Sequence, residues 1–411
     1  MSYDTGDTAW MILCTALVLL MSPGLAIFYA GMVRARNSLA MIMYSMGALV
    51  VVSVTWTIVG FTLAFGPDTG AGVVGNFKFF GLHGIDAPGA FAFPFPPAVF
   101  VMFQMMFAVI TGALISGAGA DRLKFSSLLV FLGIWSIAVY PIIAHWAWSP
   151  DGWAHKWGVL DFAGGTVVEI CSGASAFALA LVLGRRRGWP KELMLPHNLP
   201  LTILGAGLLW FGWIGFNAGS ALSAGADAGS AALATHLSGV GGVIGWLLLE
   251  KRLVGKSTAL GAASGAVAGL VAITPAAGFL DPLPALGLGI LAGALCLLGV
   301  RIKFKLKVDD SLDVLAVHFV GGVVGMLFLG FFARELLADG GGALGVLNGG
   351  DWTQMGKQAT AVVAAAAFAF VASVLIAWLV KAIMGLRVTE EEEFNGLDLA
   401  RHGETAYEIH A

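Results

Sequence analysis

Residues 161–169 read DFAGGTVVE and residues 310–318 read DSLDVLAVH. In each, an Asp stands at the edge of a long apolar stretch, and a lone ionisable group follows eight residues later, Glu169 in the first and His318 in the second. Ionisable side chains inside a membrane span are costly and rare, so two at matched positions mark a functional site. What surrounds them decides the fold class. Of 411 residues, 58% are hydrophobic and 11% charged, whereas a soluble domain carries ~25% charged residues. Stretches of roughly 20 apolar residues, the length of a membrane-spanning helix, recur near 9–31, 38–65, 97–119, 125–145, 161–184, 197–220, 231–249, 258–278, 284–302, 313–333 and 358–384. The expected fold is an all-α polytopic membrane protein with eleven transmembrane helices.

Basic residues set the orientation. One set of loops and the C-terminal end hold 18 of the 22 Lys and Arg residues, among them Arg34, Arg36, Arg122, Arg185 to Arg187, Lys251, Arg301 and Lys307. The opposite loops hold Lys78, Lys156, Arg334 and Lys357. By the positive-inside rule the N-terminus lies outside and the C-terminus in the cytoplasm. The chain also echoes itself: FYAG at 28–31 in the first span returns as FNAG at 216–219 in the sixth, and the two Asp-led stretches fall in the fifth and tenth. Spans 1–5 and 6–10 thus read as an inverted five-helix repeat followed by a final helix, an arrangement that places a transport site near the midplane between the halves. If each helix began at its Asp, Glu169 would lie ~12 Å inward from Asp161, and His318 ~12 Å outward from Asp310. Across a ~30 Å hydrocarbon core the two would come within contact range.

Several classes are excluded or disfavoured. The chain has no HExxH, P-loop or dinucleotide motif, so neither an enzyme nor a cofactor is expected. A net charge of −3 gives no reason to expect nucleic-acid binding. Cys14, Cys171 and Cys296 lie in apolar spans without ligand spacing, so no metal site and no disulfide is expected. Residues 1–9 lack a basic n-region, so no cleaved signal peptide is expected. His145, His155, His197 and His236 sit at span ends or in loops and read as satisfied imidazoles. The 57 glycines are about twice the usual share, and Gly261, Gly265 and Gly269 form a doubled GxxxG ridge suited to close helix packing.

Longer motifs carry a resemblance. PGLAIFYAGMVRARN (23–37), FQMMFAVITGALISGAGADRLKF (103–125), DFAGGTVVEICSG (161–173), WFGWIGFNAGSA (210–221), DDSLDVLAVHFVGG (309–322) and EEEFNGLDLARHGETAY (391–407) resemble the ammonium transporter, methylammonium permease and Rhesus protein family, in its microbial ammonium-transporter form. The family usually has His where this chain has Glu169, although some fungal members also carry Glu. The resemblance implies a plasma-membrane transporter of ammonium and ammonia serving nitrogen uptake. It implies an outer cation site at Phe103, Phe107, Trp148 and Ser220, a hydrophobic gate of Phe107 and Phe216, and structural support from Asp161 and Asp310. A Phe in a membrane span is usually packing, and only the motif lifts these rings above that reading. The physics agrees, since a small cation gains from aromatic faces and a hydroxyl can accept one of its hydrogens.

Glu169 and His318 are then expected to relay a proton while neutral ammonia crosses the apolar pore, because imidazole can donate at one nitrogen and accept at the other. A carboxylate can also take up and return a proton, so Glu169 keeps that chemistry in outline. Domain organisation reads as a transmembrane unit over 1–387 and a cytoplasmic tail over 388–411 that docks on the cytoplasmic face. Implied partners are membrane lipid, a homotrimer and a PII-type signalling protein. Electrogenic ammonium transport is the leading reading. An ammonium sensor on the same scaffold ranks second, since the residues up to Ala411 carry no signalling domain, and an electroneutral Rhesus-type gas channel is a third.

Overall fold

A computed structural model describes residues 3–192, 194–338 and 340–407. Among these residues there is no β-strand, only isolated bridges. Eleven apolar helices account for the expected spans: α1 (Thr5–Met32), α2 (Ala35–Phe65), α3 (Pro97–Gly119), α4 (Phe125–Trp157), α5 (Gly165–Leu183), α6 (Leu199–Gly219), α7 (Ala226–Val254), α8 (Ala259–Ile273), α9 (Pro282–Leu306), α10 (Leu315–Phe332) and α11 (Trp352–Met384). Ten are long and apolar enough to cross a membrane. The exception is α8, with 15 residues where the apolar run 258–278 reads as a full span. Pro275, which lacks a backbone N–H, follows Thr274, the residue that caps its C-terminal end. The chain continues in turns that stay buried, and their carbonyls serve the site described below. A second irregularity interrupts α4 at Val139, whose φ of −123° and ψ of −63° precede Tyr140 and Pro141.

The helices pair as an inverted repeat requires. In the α1–α6 pair, Gly31 lies against Thr202 and Asn198, Gly24 against Leu208, and Leu17 against Gly215. Ascending numbers in one helix meet descending numbers in the other, so the two run antiparallel. The α5–α10 pair does the same: Gly165 meets Met326, Glu169 meets Gly322, and Gly173 meets Phe319. Elsewhere glycine lets backbones touch. Ser238 and Gly242 of α7 are held between Gly265 and Gly269 of α8 and Gly289 and Gly293 of α9, where an added β-carbon would fall within 2.8 Å of backbone. The small-residue ridge of α8 is therefore a packing surface, although its first member, Gly261, faces the Glu250 carboxylate instead.

Fixed charges cluster at the face where α3, α5 and α9 end. Arg122 is fully buried there. It donates to the carbonyls of Asp309 (2.6 Å), Gly184 (2.8 Å) and Ala120 (3.2 Å) and to the Ser311 hydroxyl (2.7 Å). Arg186 holds the Asp309 carboxylate through Nε and Nη2 at 3.0 and 2.8 Å, and reaches Asp121 at 3.4 Å. Burial pushes the Asp309 carboxyl up, yet the Arg186 hydrogen bonds and the charges of Arg122 and Arg186 outweigh it and hold it below the usual carboxylate range. This network fixes the segment that leads into α10. The tail closes over the same face of its own chain. Its short helix α12 (Glu390–Asn395) opens with a Thr389–Glu392 capping box. Asp398 then accepts the N–H groups of Leu39 (3.0 Å) and Ala40 (2.8 Å) at the start of α2, where a carboxylate satisfies orphan donors. Leu397 N–H donates to Asn37 at 2.8 Å, and Glu393 joins Arg387 at 2.6 Å.

Candidate functional site

Three cavities lie in series through the interface of the two helix halves. The first, of about 560 Å³, opens on the N-terminal face and is lined by Phe100, Gln104, Trp148, Phe162 and Ser220, among others. The last, of about 210 Å³, opens on the C-terminal face and includes Tyr29, Trp246, Glu250, Asp313 and His318. Between them is a lumen of about 10 Å³, walled by Leu25, Ile110, Val168, Trp213, Phe216 and Val267, with Glu169 and His318 as its ionisable members. A cavity needs about 10–15 Å³ to hold one water. This passage is at that threshold and cannot take a hydrated ion.

The aromatic residues separate the first cavity from the lumen. Phe107 of α3 stacks on Phe216 of α6 with centroids 3.9 Å apart and planes inclined by 27°. Phe103 packs edge-on to Phe107 at 4.8 Å, and Trp148 does so at 5.8 Å. Phe103 and Phe107 are fully buried and sit beneath the vestibule, while Trp148 and Ser220 reach its wall. The four residues expected to form an outer cation site are thus adjacent, in two layers. Ser220 donates its hydroxyl to the Phe216 carbonyl at 2.9 Å, which leaves its oxygen lone pairs free to accept.

Asp161 governs the turn that starts α5. Its carboxylate accepts the N–H groups of Gly164 (2.9 Å), Gly165 (2.5 Å) and Thr166 (2.8 Å) and the Thr166 hydroxyl. Its carbonyl takes the Trp148 indole N–H at 3.0 Å. Asp310 plays a similar part for α10, accepting Leu315 N–H at 2.7 Å. Neither Asp lies within its helix. α5 begins at Gly165 and α10 at Leu315, so an unbroken helix from Asp to ionisable group is not what the structure shows. Each helix opens instead with a π-helical turn, Gly165–Ile170 and Leu315–Phe319. Such wider turns concentrate at functional sites, and here they carry Glu169 and His318.

Those two side chains meet. His318 Nδ1 and Glu169 Oε2 are 2.7 Å apart, with side-chain exposures of 5% and 0%. Among the described residues, Glu169 Oε1 has no hydrogen-bond partner. Gly322 makes the approach feasible, because a β-carbon there would stand 2.8 Å from Glu169 Cβ. His145, His155, His197 and His236 are satisfied or peripheral. His145 is fully buried between the Ala64 carbonyl (2.9 Å) and Asp68 (3.2 Å), well inside the protein rather than at its surface. His197 bonds the Val33 carbonyl and the Tyr407 hydroxyl. His236 is exposed beside the Trp210 ring, and His155 is exposed. Among the described residues no group of three or more His, Cys, Asp or Glu side chains is placed to hold a metal ion, and the cysteines are separate and buried.

Sequence reasoning missed the frame around this site. Trp213 donates to the Thr274 hydroxyl at 2.9 Å, and Phe162 N–H to the Pro275 carbonyl at 3.0 Å. Gln358 of α11 bonds both backbone groups of Leu160. These pairings join residues far apart in the chain, and no local pattern announces them.

Comparison with known proteins agrees with this architecture. The model of the Ammonium Transporter Family matches residues 9–407. An ammonium transporter of Mycobacterium tuberculosis is 46% identical over 99% of this chain and 91% of its own length. Among solved structures, Saccharomyces cerevisiae Mep2 superposes with a TM-score of 0.87 at 35% identity, covering 95% of this chain and 89% of that one. A protein described as a sensor Amt protein gives 0.88 at 31% identity, covering 96% and 98%. The family comprises membrane transporters, not enzymes, and its helices make this a multi-pass membrane protein. The chain belongs to the ammonium transporter family.

Proposed function

We propose that this protein takes ammonium from the vestibule on its N-terminal face and delivers it as ammonia plus a separately relayed proton. The observation that carries the reading is the 2.7 Å contact between Glu169 and His318 in a lumen of about 10 Å³. Carrying an intact cation through so dry and narrow a passage would strip its hydration without replacement. Neutral ammonia avoids that cost. At the entrance, the face of Trp148 attracts the cation above the buried rings of Phe103 and Phe107, and Ser220 accepts one of its hydrogens. The Phe107–Phe216 stack must yield for each passage and excludes bulk water. Glu169 Oε1, buried and without a partner, can take up the proton. Glu169 and His318 share one proton across their contact, so a second arriving at Glu169 releases one through His318, which also borders the cavity on the C-terminal face. Asp161 and Asp310 hold the two helix starts that aim the pair.

On this reading the N-terminal face is external, the working assembly is a homotrimer, and the C-terminal face with its docked tail is the surface for a PII-type signalling protein. Charge movement is the decisive test. Purified protein in proteoliposomes should give an inward current on addition of ammonium. Glu169→Ala should abolish that current or admit potassium. A folded natural protein that gave no current would overturn electrogenic transport in favour of gas conduction or sensing. Unchanged current and selectivity in Glu169→Ala would remove the carboxylate from the relay.

A further inference from the structure

We infer that Gln358, on the last membrane-spanning helix α11, is a positioning residue that sets the affinity of the outer cation site by fixing Trp148. This rests on the reading of Trp148 as part of that site. Gln358 is fully buried and does not line the vestibule. Its carboxamide closes both backbone groups of one residue: Oε1 accepts Leu160 N–H at 2.8 Å, and Nε2 donates to the Leu160 carbonyl at 2.7 Å. A neighbouring β-strand would hold Leu160 in the same way. Gln354, one helical turn earlier, supports the arrangement. Its Nε2 donates to Gln358 Oε1 at 3.0 Å and to the Gly158 carbonyl at 3.1 Å. Gln358 Nε2 also reaches the Met326 carbonyl of α10 at 3.3 Å.

The residue after Leu160 is Asp161. Its carbonyl is the acceptor for the Trp148 indole at 3.0 Å, and its carboxylate organises the first turn of α5. On the other side of Asp161, the N–H groups of Phe162 and Ala163 donate to the Pro275 and Thr274 carbonyls at 3.0 and 3.2 Å. The peptide carrying the Trp148 acceptor is therefore held between α11 and the end of α8. Substituting Gln358 frees one of those two holds. The carbonyl can then rotate, and the indole loses the orientation in which its face meets a cation in the vestibule. Cation–π attraction depends on the cation standing over the ring face, so a turned ring binds less well while the lumen and its proton-sharing pair stay in place.

The test measures ammonium-dependent current in proteoliposomes for the natural chain, Gln358→Met, Trp148→Leu and the double variant. Gln358→Met keeps a similar volume and removes every hydrogen bond. It should raise the half-saturating ammonium concentration about tenfold, equivalent to roughly 1.4 kcal/mol of binding, with saturated current within about twofold. The double variant should match Trp148→Leu, because Gln358 acts through the indole. A folded Gln358→Met protein whose current falls at every concentration with half-saturation unmoved, or additive shifts in the double variant, overturns the proposal. If Gln358→Met does not fold, Gln354→Met, which removes only the support, should give a smaller shift of the same kind, and no shift there overturns it. An effect of Trp148→Leu without one of Gln358→Met refutes the positioning role alone. No effect of Trp148→Leu refutes the outer-site reading beneath it.

Discussion

Glu169 stands where the family resemblance leads one to expect His. The structure gives that departure a definite geometry, since one carboxylate oxygen meets His318 at 2.7 Å and the other has no partner among the described residues. Two interacting titratable groups release protons as a pair, not singly. Replacing the carboxylate by imidazole exchanges an acid for a base at the position that meets His318. Glu169→His should keep ammonium-dependent current but displace its dependence on pH, and superimposable profiles for the two proteins would argue that the groups are uncoupled. Asp309 shows the same physics in a structural role. Held below its ordinary value of 3.8 by Arg186 and Arg122, it contributes stability that is fully present above that value. The contribution is lost only as pH falls through the lower folded value. Asp309→Asn leaves buried cations short of a partner, which typically costs roughly 3–5 kcal/mol. The detergent-solubilised variant should melt lower at pH 7, with the gap to the natural chain constant through mild acid and closing only in strong acid.

At the level of elements, the pore depends on how closely α5 and α10 can approach. A β-carbon on Gly322 would lie 2.8 Å from Glu169 Cβ, 3.1 Å from Ile170 Cγ1 and 3.2 Å from the Gly165 carbonyl. Gly322→Ala must therefore push the helices apart, and overpacking of this kind costs about 1–3 kcal/mol. Reduced current from a protein that still folds is expected, and full current would show that the contact has slack. Much of this architecture was readable in advance. Apolar length located the helices, and the repeated FYAG and FNAG segments indicated two halves of opposite orientation. The matched Asp-led stretches pointed to the meeting of Glu169 and His318. What stayed hidden was local winding and distant hydrogen bonding. The π-turns at 165–170 and 315–319 leave no periodicity signal in so apolar a sequence, and for that reason Asp161 and Asp310 read as helical when they lie just outside. The early end of α8 depends on Pro275 and on buried turns whose carbonyls find partners around Phe162. Gln358 looks like any polar residue near a helix start until its partner, Leu160, 198 residues away, is known.

For the whole molecule, the sizes of the three cavities matter more than any single contact. Two chambers of about 560 and 210 Å³ communicate through one of about 10 Å³. Vesicles carrying the protein should shrink under an osmotic step at the same rate as empty vesicles, measured by stopped-flow light scattering, and faster shrinkage would mean that the lumen opens wider than the structure shows. The same constriction imposes a single file. Only one small molecule can occupy the waist at a time, so inward and outward movements obstruct each other, and tracer efflux should fall as external substrate rises. A membrane crowded with this protein would then gain a route for nitrogen without gaining a leak for water, and the cell's turgor would stay independent of how hungrily it feeds.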